Sequence, residues 1–82
     1  MSKMIVFVVH TFSKHGRRLS PNQPFACKTA EEAIRRAERE SNRNAGVAAI
    51  HLTVDGDTGE LLEDPVILYS AGELPSDLTG QD

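Results

Sequence analysis

There is no tryptophan in this chain, and its aromatic set is three phenylalanines and one tyrosine. Recognition of single-stranded nucleic acid by base stacking needs exposed aromatic rings, so that mode lacks its main element. Cysteine occurs once, at Cys27. One thiol cannot form an internal disulfide, and it fits a reducing compartment. No long apolar run is present. The longest, Met4 to Val9, is ended by His10 after six residues. A secretory h-region takes about 7–15 apolar residues and a spanning helix about 20. The expectation is a cytoplasmic protein with no membrane association. There is also no glycine-rich phosphate cradle of either common type and no recognised nucleic-acid motif.

What is present is an ordinary globular composition, 39% hydrophobic and 26% charged, in 82 residues. That is room for one domain with a modest core. Met4 to Phe12 (MIVFVVHTF) is rich in β-branched and aromatic residues and predicts a strand buried on both faces. Lys14-His15-Gly16-Arg17 predicts a turn. Arg18 to Lys28 carries Pro21 and Pro24, which remove backbone donors and restrict the segment to an irregular edge strand or a loop. Thr29 followed by Glu32 is a capping box. Ala30, Ala33, Ile34, Ala37 and Ser41 then recur on one helical face, with Glu31/Arg35, Glu32/Arg36 and Arg36/Glu40 four apart elsewhere. Asn42, Asn44 and Gly46 supply a stop. Val47 to Val54 predicts a second strand, Asp55 to Gly59 a turn, and Glu60 to Tyr69 a return that is loose around Pro65. The domain is expected over residues 3–70, with 71–82 a polar tail.

These elements predict an α+β fold: an antiparallel sheet of order 2-1-3-4 in a ββαββ chain, with one helix on one face. The most apolar strands then lie centrally and the proline-bearing ones at the edges.

Part of the second half carries a further pattern. Gly46-Val47-Ala48-Ala49, Asp57-Thr58-Gly59-Glu60, Val66-Ile67-Leu68 and Gly72-Glu73-Leu74-Pro75 stand in that order, after Glu31-Glu32-Ala33 at the helix start. The pattern resembles one shared loosely by short uncharacterised bacterial proteins. The resemblance implies a small stand-alone domain and carries no activity, cofactor or site residue.

Four groups invite chemistry. Asp55-Gly56-Asp57-Thr58-Gly59-Glu60 alternates aspartates like a calcium loop. Counted from Asp55, however, Glu60 stands where glycine is required and Val66 where the bidentate glutamate is required. A hairpin turn is the simpler reading. Cys27 precedes a helix N-terminus, where a thiol pKa can be depressed, but a nucleophile also needs a base within reach. A lone cysteine beside Phe25 and Ala26 more often packs as a small hydrophobe. His10 and His51 could share a sheet face, yet a third metal ligand is missing. Lys14, His15, Arg17 and Arg18 form a basic tip that could bind phosphate or nucleic acid; its bland reading is a solvated hairpin end. No catalytic residue, metal or cofactor is expected.

Charge is segregated along the chain. Residues 1–28 hold Lys3, Lys14, Arg17, Arg18 and Lys28 with no acid; residues 55–82 hold eight acids with no base. Such poles can dock between copies or on a partner, or screen each other within one fold. One helix covers one face of a sheet, so one apolar set of the first strand, either Ile5, Phe7 and Val9 or Met4, Val6, Val8 and Phe12, must face away. The expected interface is Met4, Val6, Val8, His10 and Phe12, continued on the neighbouring strand by Val47, Ala49 and His51. Ala48, Ile50 and Leu52 are the alternative continuation, and the competing way to cover the face is the C-terminal segment folded back through Leu74 and Leu78. The function expected is a non-enzymatic interaction or assembly module, homodimeric and open to an unknown protein partner. The alternative is nucleic-acid or phosphate binding through the Lys14–Arg18 tip.

Overall fold

The computed structural model describes residues 2–75. In chain order they form β1 (Lys3–His15), β2 (Arg18–Pro21), β3 (Phe25–Cys27), α1 (Ala30–Glu40), β4 (Gly46–Asp55) and β5 (Val66–Gly72). Leu78, together with Asp77 and Asp82 of the acidic half, lies outside the described residues. The five strands make one antiparallel sheet, β2-β1-β4-β5, with β3 also paired to β1. The fold is α+β, with the helix packed on the sheet.

The irregular second strand is in fact two strands, so the element order is βββαββ. β2 pairs with Phe12 to His15, and β3 with Phe7 to Val9, along the same edge of β1. The break falls at Asn22-Gln23-Pro24, directly after Pro21. Neither proline can donate to a ladder there. Asn22 bridges the gap: its N–H donates to the Thr11 carbonyl (2.9 Å) and its Nδ2 to Thr11 Oγ1 (3.1 Å). Gly16 opens the β1–β2 hairpin at φ 65°, followed by Arg17 at negative φ. These are the φ signs of a type II′ turn, which suits the twist of a two-residue hairpin.

β3 and β4 both run antiparallel to β1, so they are parallel to each other, and α1 carries the chain between them. The helix starts as its sequence predicts. Thr29 is the N-cap, its hydroxyl accepting from the Glu32 N–H at 3.0 Å. Glu32 reaches back one residue further than the usual box and accepts from the Lys28 N–H at 3.0 Å. That use of Glu32 replaces the expected Glu32/Arg36 pair. Arg36 instead lies over the Phe25 ring, 4.0 Å from its centroid, with Nε 3.9 Å from Glu40. The helix ends at Ser41, and Asn44 Nδ2 donates to the Glu40 carbonyl at 2.7 Å. Gly46 is not a helix stop; it begins β4.

The core lies between α1 and one face of β1 and β4. Val9, Ala33, Ala37, Val47 and Ala49 are wholly buried, with Phe7, Phe25, Ile34 and Tyr69 packed around them. The two valines contribute about 1.5–3 kcal/mol each by burial. The alanine stripe of the helix lets its axis approach the small residues Val47 and Ala49 closely. But α1 has 11 residues and β1 has 13. At about 1.5 Å and 3.3 Å per residue, the helix spans less than half the strand. One end of the sheet therefore extends past it.

Thr29→Ala should lower unfolding stability by about 1 kcal/mol, since the Glu32 N–H loses its acceptor. Urea denaturation measures this; an unchanged midpoint would contradict the cap.

Candidate functional site

The β1–β4 register runs from Lys3 opposite Asp55 to Phe12 opposite Gly46. Odd residues therefore face odd residues across this pair, and even face even. The odd set carries the helix. The even set is the open face: Met4, Val6, Val8, His10 and Phe12 from β1, with Ala48, Ile50, Leu52 and Val54 from β4. Ile67 of β5 stands opposite Ile50, and Leu61 forms a bridge with Val54, which brings both to this face.

This divides the expected interface. Met4, Val6, Val8, His10 and Phe12 share the open face. Val47, Ala49 and His51 do not: Val47 and Ala49 are buried under the helix, and His51 stands beside Phe7 with ring centroids 5.5 Å apart. The continuation across β4 is Ala48, Ile50 and Leu52. Leu61 and Ile67 join this face only through their pairing with Val54 and Ile50, which local sequence pattern does not encode. The available signal lay in β4 itself, where Val47 and Ala49 are small and suit an alanine-faced helix, while Ile50 and Leu52 on the other face are bulky.

The open face is not uniform. At its Phe12 end the chain after β5 crosses over it. Gly72 turns at φ 77°, and the Glu73 N–H donates to the Ala45 carbonyl at 2.9 Å. The Glu73 backbone then occupies the space a side chain at Gly46 would need, and Glu73 pairs with Lys14 at 2.7 Å. Phe12 and Ile50 are 4% and 2% exposed. The other end is uncovered among the described residues: Met4 is 50%, Leu61 47% and Ile67 37% exposed. Val6, Val8, Leu52 and Val54 between them are half-buried.

The same register separates His10 from His51, which project to opposite faces. Among the described residues no three His, Cys, Asp or Glu side chains gather as a metal site. Cys27 and His51 both flank Phe7, one on each neighbouring strand. Two strand spacings put them about 10 Å apart with the Phe7 ring between them, too far for proton transfer. Burial and the Glu32 carboxylate push the Cys27 thiol above its ordinary value of 9.0, outweighing the opposing effect of Arg36. The helix start therefore does not make a thiolate here.

Asp55 to Glu60 is a turn closed by the Asp55 and Thr58 side chains. Asp55 Oδ1 accepts from the N–H groups of Asp57 (2.7 Å) and Thr58 (3.2 Å), and Gly59 adopts φ 78°. Lys14, His15, Arg17 and Arg18 are all exposed at the β1–β2 tip. Lys14 is held by Glu73, whereas Arg17 and Arg18 have no carboxylate partner among the described residues. A concavity runs along the outer, charged face of α1, past Glu31, Arg35 and Arg39. It lacks the apolar lining of a small-molecule pocket. Among the described residues no helix is long and apolar enough to cross a membrane.

No family model, curated protein or solved structure matches the chain.

Two outcomes follow from the titrating groups. Burial lowers the His10 pKa from its ordinary 6.5. Below that pH the unfolded chain binds a proton that the folded chain resists, so stability falls as pH drops through 6.5 toward the folded value. Urea midpoints taken from pH 7.5 to 5.5 should decline, and less steeply in His10→Gln; equal slopes would remove His10 as the cause. Cys27 should alkylate more slowly at neutral pH in the folded chain than in urea, and an equal or faster folded rate would contradict its raised pKa.

Proposed function

We propose that this protein is a small non-enzymatic assembly module that pairs with a second copy of itself through the open face of its sheet. One observation carries the reading: Met4, Val6, Val8, Leu52, Leu61 and Ile67 project from the side of the sheet opposite the helix. Scattered apolar residues are normal on a surface, but a contiguous set on one sheet face usually marks an interface. A second copy supplies the same face by two-fold symmetry, the commonest arrangement among oligomers. It would also enlarge the core of a chain of 82 residues, whose own core is small. Strands from two such faces can stack about 10 Å apart, as in a sandwich. The single free thiol fits a reducing cytoplasmic setting. An enzymatic reading has less support, because Cys27 has a raised pKa and no imidazole in reach.

Sedimentation equilibrium at tens of micromolar tests this reading, with a dimer mass as the expected result. Val6 and Leu52 face each other in register at the middle of the exposed stretch. Replacing Leu52 with Lys should give a monomer that keeps the native circular dichroism spectrum. Met4→Lys, at a position already 50% exposed, guards against misfolding and should weaken pairing without loss of stability. A monomeric wild-type protein at these concentrations would refute the proposal.

A further inference from the structure

The β1–β4 pairing separates the two charge groups in space as well as in sequence. β1 begins beside Asp55 and ends at the Gly16 turn, so the basic tip lies at one end of the strands and the Asp55–Asp64 segment begins at the other. The molecule measures 44 Å along its longest axis. The Debye length in physiological salt is about 8 Å, so poles separated on this scale cannot neutralise each other within one copy. What neutralisation occurs is local. Lys3 meets Glu63 at the acidic end (3.3 Å), and Glu73 meets Lys14 at the basic end (2.7 Å). These exposed pairs contribute little to stability. They leave Arg17 and Arg18 at one end, and Asp57, Glu60 and Asp64 at the other, with no ion pair among the described residues.

We infer that these poles set the orientation of the self-pairing: the Arg17–Arg18 tip of each copy docks against the Asp57, Glu60 and Asp64 end of the other. This rests on the open-face dimer proposed above and specifies its geometry. A face-to-face pair has its two-fold axis in the plane between the sheets. An axis along the strands would place like poles together. An axis across the strands places each tip against an acidic end, twice per dimer. Unlike charges favour the second arrangement and like charges oppose the first. The exposed apolar residues of each copy, gathered toward its Met4 end, then lie over the partner's Phe12 end. The partner implied is a second copy of this chain, antiparallel, and the contact is salt-sensitive.

A charge-reversal exchange tests the orientation. One variant carries Arg17→Glu and Arg18→Glu; the other carries Asp57→Lys, Glu60→Lys and Asp64→Lys. All five positions are exposed, so folding is retained and can be verified by circular dichroism. Each variant alone presents two repulsive contacts to itself and should self-associate at least about tenfold more weakly than wild type. An equimolar mixture presents two attractive contacts and should recover dimer mass, with its dissociation constant rising as salt is added. Dimerisation indifferent to both reversals, or a mixture without recovery, overturns the orientation and leaves the open-face reading standing. A wild-type monomer removes both. Growth of wild type beyond a dimer would mean open head-to-tail chains and overturn the closed arrangement. Binding of mixed-sequence DNA or RNA at low salt, lost in the tip variant while pairing is unchanged, would assign the tip to nucleic acid and also overturn it.

Discussion

The ten-residue register between β1 and β4 is the constraint on which the other features depend. Its parity places Phe7, Val9, Val47 and Ala49 together under the helix and sends Met4, Val6, Val8 and Leu52 to the opposite side. A slip of one residue would exchange the two sets, because side chains alternate with period two. Steric fit specifies the observed choice. Ala33 and Ala37 form a nearly flat helix surface, and it can approach only the face of β4 that carries Val47 and Ala49. Ile50 and Leu52 on the other face would hold such a helix away from the sheet.

A second constraint acts where the strands end near the helix. Gly46 and Gly72 stand opposite each other at the β4–β5 edge, and the backbone of Glu73 passes over Gly46. A side chain at Gly46 would collide with that crossing. The crossing closes the Phe12 end of the open face and carries Glu73 to Lys14. The apolar surface left over on that face is therefore confined toward the Met4 end.

Polar groups that resemble sites serve local structure instead. Asp55 closes the β4–β5 turn by spending one carboxylate oxygen on two backbone N–H groups. Glu32 holds the entry to the helix rather than pairing along it. Its carboxylate, close enough to raise the Cys27 pKa, also makes that position a poor place for a thiolate. In each case a backbone donor near a turn or helix end captured a side chain that pattern alone left free.

The α+β class, the helix over Ala30–Glu40 with its Thr29 cap, the two central strands and the split of charge between the chain's halves were legible in the sequence. All depend on neighbours within a few positions: capping geometry, helical or alternating periodicity, and composition. The β2–β3 break was half legible, since Pro21 and Pro24 marked an interruption but not that both sides of it would pair with β1. Which face of β4 joins Met4, Val6 and Val8 was not legible: the register selects Ala48, Ile50 and Leu52 over Val47, Ala49 and His51. Nor could the sequence pair Leu61 with Val54, part His10 from His51, or set the basic tip and the acidic turn at opposite ends. Those relations are set by strand register and direction. Residues far apart in the chain establish them when they pack together, and no local pattern encodes the parity of that pairing.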